Sequence, residues 1–138
     1  MMSVLTIYAG GKLKPPFDAL CNLYVKRLSP LKISVKEMEE KQWKSLVKLK
    51  SQRWIMWDEK GIQFTSSEFW KKLDTLSPYH ICFFIGESFG IPKNIFNQND
   101  EIWSFGLMTW PHLFARAMLL EQLYRKILAQ KGHPYSFV

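Results

Sequence analysis

With 138 residues, 47% of them hydrophobic, the chain has material for one domain (1–138) with a real core, but not for two. No apolar run approaches a membrane span, and Met1 to Ala9 has neither a basic n-region nor an adequate h-region. The expectation is therefore a cytoplasmic, reduced protein without a membrane partner. Nineteen Lys and Arg against 12 Asp and Glu give a net charge of +7, which fits a polyanionic partner as well as it fits a merely basic surface.

In chain order, Ser3 to Ala9 is β-rich and apolar, and Gly10-Gly11-Lys12 ends it: a strand and its loop. After Pro15-Pro16, the residues Phe17, Leu20, Cys21, Tyr24 and Leu28 recur at helical spacing, and Ser29-Pro30 stops the helix. Leu31 to Glu37 alternates apolar with polar, which predicts a half-buried strand near an edge of the sheet. Lys41 to Lys50 predicts a short basic helix carrying Trp43, Leu46, Val47 and Leu49, its lysines forming a solvated face. Arg53 to Trp57 reads as a third strand, ended by Asp58-Glu-Lys-Gly61. Thr65-Ser-Ser-Glu68 has the capping-box pattern of a helix start, followed by Phe69, Trp70 and Leu73.

Two later apolar runs, within Tyr79 to Ile85 and from Trp103 to Met108, are too short and too continuous for amphipathic helices. They read as buried strands of a parallel sheet, with a weak Asn-rich helix from Pro92 to about Asn97 between them. The last helix runs from about Pro111 to Gln130, with Gly132 as its stop, and its apolar residues cover more than one stripe. One face can pack on the sheet; the other points to a partner subunit, most economically in a two-fold homodimer. A βα unit repeated about five times makes an α/β chain with a mostly parallel, doubly wound sheet of about five strands. Cys21 and Cys82 sit in apolar surroundings without ligand spacing, so structural thiols are expected, and no metal.

The two continuous strands end in residues suited to a site. The first opens into Gly86-Glu-Ser-Phe-Gly90, where glycine allows positive φ and close backbone approach. The second opens into Thr109-Trp110-Pro111-His112, with Pro111 suited to the first turn of a helix. Open α/β sheets bind ligands where strand ends open into such loops.

These segments, in this order, resemble one family. Ile85-Gly-Glu-Ser-Phe-Gly-Ile91 resembles the Gly-Gly-x-x-Gly-Leu loop of SPOUT methyltransferases, and Ser104-Phe-Gly-Leu-Met-Thr-Trp-Pro-His112 resembles their Ser-Leu-x-x-x-Thr-Leu-Pro-His segment. Arg116, Glu121-Gln-Leu-Tyr-Arg125 and His133-Pro-Tyr135 resemble the family's last helix and tail. Trp57-Asp-Glu-Lys-Gly61 is similar to its Leu-Asp-x-x-Gly stretch, and Ser66-Ser-Glu-Phe-Trp70 to its Ser-Ser-Glu-x-Phe stretch. The resemblance covers nearly the whole chain. It points to the single-domain branch that methylates N3 of a pseudouridine in large-subunit (23S) ribosomal RNA.

The resemblance implies a deep C-terminal trefoil knot (the SPOUT fold), S-adenosylmethionine as methyl donor, a homodimer, and ribosomal RNA on assembled ribosomes as partner. Topological rules alone would reject a knot. By carry-over, Trp57, Gly86, Gly90 and the segment Phe105, Gly106, Leu107, Met108, Thr109 and Trp110 surround the cofactor, mostly with backbone groups and apolar walls; each also reads as strand-end core. Two positions depart from the family pattern: Glu87 stands at a usual second glycine, and Ser136 at a usual histidine. The stretch between the second and third strands is also short.

An imide N3–H is a poor nucleophile until its proton leaves, so a base, or a cation stabilising the anion, is required. His112, at a helix start beside the cofactor loop, is the first candidate. His133 and Tyr135 come next, as a tail that can order over RNA and stack on a base. Arg116 and Arg125 are candidates to hold phosphate or the uracil anion; their plainer reading is ion pairing. His80 has no assignment. Three competing readings stand beside the enzyme on ribosomal RNA: a non-catalytic RNA-binding or assembly protein of this fold, a transfer-RNA methyltransferase, and a flavodoxin-like nucleotide-binding protein. The last leaves Thr109 to His112 and His133 to Tyr135 unexplained.

Overall fold

The computed structural model describes residues 4–29 and 31–137, so Ser3 and the helix-stopping Pro30 lie outside the described residues. The strands β1 (Leu5–Gly10), β2 (Ile33–Met38), β3 (Gln52–Gln63), β4 (His80–Ile85) and β5 (Glu101–Ser104) form one sheet in the order β2-β1-β4-β3-β5. Every neighbouring pair is parallel, as the continuous apolar runs predict. Alternating β2 takes the edge.

Period-two alternation sends each strand's side chains into two cores. Ile7, Ile55, Phe83 and Trp103 face helices α1 (Phe17–Arg27), α3 (Ser66–Thr75) and α5 (His112–Gln130), meeting Cys21, Phe69, Leu73 and Leu120. Tyr8, Trp54, Met56 and Phe84 face the other way, toward Trp43 of α2 (Glu40–Ser45) and Ile95 of α4 (Lys93–Phe96). The sheet is doubly wound. Fully burying side chains of this size contributes about 1.5–3 kcal/mol each, so these two cores hold the strand ends in register.

Three boundaries differ from expectation, each for a local reason. The fifth strand ends at Ser104, not Met108. There the Ser104 hydroxyl donates to the Gly106 carbonyl (2.6 Å) and accepts from the Gly106 N–H (2.9 Å), and Gly106 takes φ +121°. This turn carries Leu107 and Met108 out to 78% and 73% exposure. The third strand continues past Trp57, because Asp58 to Gly61 bulge out and Ile62 re-enters the ladder opposite Trp103, the residue that Trp57 also faces. Gly61 is required in that bulge: a Cβ there would lie 2.6 Å from the Ile102 carbonyl. The basic helix stops at Ser45, its capping box closed by Glu39 and Gln42, and leaves Val47 and Leu49 exposed beyond it.

The capping box at Thr65 forms as read: Glu68 N–H donates to Thr65 Oγ1 (3.2 Å) and Thr65 N–H to Glu68 Oε1 (2.8 Å). Cys21 and Cys82 are free and buried. Burial pushes the Cys82 thiol up to about 12 and raises Cys21 as well, so both stay protonated and inert.

Candidate functional site

The carboxyl ends of β3, β4 and β5 open into a cavity of about 530 Å³, within the range of small-molecule sites. Gly86 follows the last residue of β4 and forms its floor. A Cβ on Gly86 would sit 2.3 Å from the Gly90 carbonyl carbon and 2.4 Å from Ile91 N, so any side chain there must break the loop. The loop is closed by Gly90 N–H donating to the Glu87 carbonyl (2.8 Å), with Gly90 at φ +86°. On the opposite side the Ser104–Gly106 turn starts the segment that runs to Pro111, and α5 begins at His112 without a side-chain cap. Thr109 Oγ1 donates a short hydrogen bond to Glu59 Oε2, tying this segment to the β3 bulge.

Of the residues expected at a cofactor site, Trp57, Gly86, Gly90, Phe105, Gly106, Met108, Thr109 and Trp110 line the cavity, and His112 joins them. Leu107 does not; it faces solvent. The Trp57 indole lies flat on the Phe105 ring, with centroids 4.1 Å apart and planes 10° from parallel. Its Nε1–H is buried without a hydrogen-bond partner. A second cavity of about 370 Å³ lies behind this stacked pair, between the end of β3, α3 and α5.

The cavity is acidic. Asp58, Glu59 and Glu87 line it, and no Lys or Arg does among the described residues. Glu87, the departure from the family glycine, lies over the loop after β1. A Cβ on Gly10 would meet Glu87 Cγ at 2.7 Å, and one on Gly11 would meet Glu87 Oε1 at 2.9 Å. In the sequence Gly10-Gly11 reads as a strand stop only, and Asp58 and Glu59 fall outside the expected site. The glycine pair was the available signal, since two adjacent glycines mark close approach by another segment.

The other candidates lie elsewhere. Arg116 is buried one turn into α5 and ion-paired with Glu37 (3.0 Å) at the end of β2, away from the cavity lining. Arg125 donates to both carboxylate oxygens of Glu121 (3.2 and 3.1 Å) and to the Tyr135 carbonyl (2.9 Å), and its guanidinium lies 4.4 Å from the Tyr135 ring centroid. Tyr135 OH donates to Glu121 Oε2 (3.1 Å), and the Tyr135 N–H to His133 Nδ1 (3.1 Å). The Glu121 hydrogen bonds raise the Arg125 pKa further. This network packs the tail back on the second half of α5: Glu121 and Arg125 lie about 14 and 20 Å along the axis from His112 at 1.5 Å per residue. The Ser136 side chain lies outside the described residues. His80 is at the opposite rim of the sheet, bonded to Thr6 Oγ1 (2.7 Å), where burial and then Lys36 lower its pKa.

A family model described as "Predicted SPOUT methyltransferase" matches residues 2–136. A curated relative from Paramagnetospirillum magneticum, named ribosomal RNA large subunit methyltransferase H, is 34% identical over 148 residues, covering 95% of this chain and 97% of the relative. One of the same name from Rhizorhabdus wittichii is 34% identical over 137 residues, covering 96% of each. A third, from Desulfitobacterium hafniense, is 39% identical over 84 residues, 59% of this chain, and that match spans about half (52%) of the relative.

Proposed function

Because the chain belongs to the SPOUT methyltransferase family, we propose that it transfers a methyl group from S-adenosylmethionine to N3 of a pseudouridine in large-subunit ribosomal RNA, in the cytoplasm and on assembled ribosomes. The name shared by its relatives supports ribosomal RNA as the substrate class. No helix among the described residues is long and apolar enough to cross a membrane, and no group of His, Cys, Asp or Glu among them is placed to hold a metal.

The cavity at the strand ends carries this reading. A purine ring needs an apolar slot edged with polar groups, and the Trp57 and Phe105 rings together with the backbone of the Gly86 and Gly106 loops line the cavity with both kinds of group. When bound, the donor supplies an electrophilic methyl on a sulfonium. The chain's own residues then have three tasks: to hold the donor, to exclude water, and to remove the N3 proton. Gly86 and the Gly106 to Trp110 backbone do the first. The exposed apolar side chains Leu107, Met108 and Trp110 form a rim that a docked RNA covers, which does the second. His112 is the candidate for the third: it lines the cavity at the positive end of α5, where an imide anion is favoured.

Arg125 lies about 20 Å along α5 from His112, and neither it nor His133 or Tyr135 lines the cavity, so we infer that they serve a partner's cavity in a two-fold homodimer. Exposed Leu20 and Leu23 of α1 and Phe114 of α5 offer apolar surface for that contact. The family's deep trefoil knot belongs to this proposal too. The test is calorimetric titration with S-adenosylmethionine and S-adenosylhomocysteine, followed by methylation of purified ribosomes. Micromolar binding and ribosome methylation are expected. No binding at millimolar ligand overturns the enzyme reading for the free protein; activity on free transfer RNA but not on ribosomes moves the substrate.

A further inference from the structure

We propose that Glu87 is a specificity-determining residue, through which the cavity distinguishes the cationic methyl donor from its neutral thioether product. The inference rests on the proposed donor site and names how that site sorts its two ligands. The chain carries +7 overall, yet the charged residues lining the cavity are three carboxylates. Two of them are engaged within the protein. Asp58 Oδ1 accepts from the Lys60 N–H (2.9 Å), and Glu59 Oε2 accepts from Thr109. All three keep their charge, but Glu87 makes no side-chain hydrogen bond and no ion pair among the described residues, so both of its oxygens are left for whatever enters the cavity.

Its position is nonetheless fixed. The Glu87 side chain occupies the space that Gly10 and Gly11 leave empty, since a Cβ at either would come within 2.7 or 2.9 Å of it. Its own backbone is held by the Gly90 N–H and by the bridge between Glu87 and Gly90. Two segments distant in the chain thus hold one unpaired carboxylate at the edge of the cavity.

The donor and product share the adenosine, the ammonium and the carboxylate. They differ by one methyl and one positive charge: the sulfonium makes the donor +1, and the thioether product is neutral overall. Apolar walls and backbone amides act on the shared parts and treat both ligands nearly alike. A fixed, unpaired carboxylate acts on the difference. At separations of about 8–10 Å and an effective dielectric constant of about 40, the attraction is worth roughly a five-fold ratio in affinity. Such a bias favours exchange of spent product for fresh donor.

The test is calorimetric measurement of both dissociation constants, for the wild type and for Glu87→Gln, at low and high salt. Glutamine keeps the shape that packs on Gly10 and Gly11, and thermal melts of both proteins control for folding. The expected result is that Glu87→Gln weakens S-adenosylmethionine about five-fold, leaves S-adenosylhomocysteine unchanged, and removes the part of the wild-type preference that fades with salt. Equal weakening of both ligands would overturn the inference, because Glu87 would then be meeting the shared ammonium; so would no change in either. If the wild type binds neither ligand, the proposed function fails and the inference fails with it. If both bind and the variant's ratio is unaltered, only the inference fails.

Discussion

The two ends of α5 are built on opposite plans. At its start, His112 stands half-buried on an open cavity, behind a proline and with no side chain capping the helix. At the tail end, which packs back on the second half of the helix, Glu121, Arg125 and Tyr135 bond to one another through both carboxylate oxygens, three guanidinium nitrogens and the phenol. Polar groups at the first end keep hydrogen-bonding capacity for a ligand, whereas those at the second spend most of theirs locally. Yet the family resemblance assigns both ends to one reaction. Within a single protomer Arg125 lies about 20 Å along the helix from His112, and neither it nor Tyr135 lines the cavity, so the tail end acts on another copy or supports the fold.

The first way to break this comparison is to destroy the open end. Gly86→Arg forces a side chain into space held by the Gly90 and Ile91 backbone. Calorimetry should show loss of S-adenosylmethionine binding by more than about 100-fold, the scale of losing several oriented contacts, while the far-ultraviolet circular dichroism persists. Retained affinity would put the donor somewhere else.

The second test asks whether the far end works in trans. His112→Ala and Tyr135→Ala proteins should each be nearly inactive on ribosomes, because each homodimer lacks one element of both sites. Mixed and re-equilibrated, half of the dimers are hybrids with one intact site, so about a quarter of wild-type activity should return. No recovery, with hybrid dimers demonstrated, would mean that each tail serves its own chain or only the fold.

A smaller effect measures how far the tail network is structural. Glu121 is the shared acceptor for Arg125 and Tyr135, so Glu121→Ala leaves a half-buried guanidinium without its main partner. Denaturant unfolding should show a loss of about 1–2 kcal/mol, between the values for exposed and buried pairs. A loss near zero would mean that the tail rests loosely and that its bonds are available to RNA.

The same contrast explains what was legible in the chain. β1 and β4 are legible because apolar runs bounded by glycine have few other readings. Gly86 and His112 are legible because they sit where such strands end. The end of β5 is not: Leu107 and Met108 are apolar yet exposed, and a run of apolar residues looks the same whether or not the core buries it. The β3 bulge was hidden by its charges, since Asp58-Glu-Lys60 reads as a stop although the strand resumes at Ile62. The seat of Glu87 depends on two glycines far away in sequence, and Arg116 meets Glu37 across the fold. Local pattern carries no information on such pairs.

The last prediction compares two helix starts. α3 closes its first turn with Thr65 and Glu68, whereas α5 leaves its first turn open toward the cavity. Thr65→Ala should therefore cost about 1 kcal/mol by chemical unfolding, the usual value of a Thr cap. His112→Ala should stay within about 0.5 kcal/mol, because the half-buried side chain caps no helix and faces the open cavity. The acid limb adds an independent reading. The backbone hydrogen bond from Thr65, and then its side chain, hold the Glu68 carboxyl below its ordinary value. Between the unfolded and the lower folded value the unfolded chain binds more protons, so stability rises with pH there. The contribution of Glu68 is present above its unfolded value and is lost as pH falls through its folded one. Glu68→Gln should flatten that limb. If His112→Ala instead destabilised the fold as much as Thr65→Ala, the open end of α5 would be a structural cap, and the contrast between the two ends would fail.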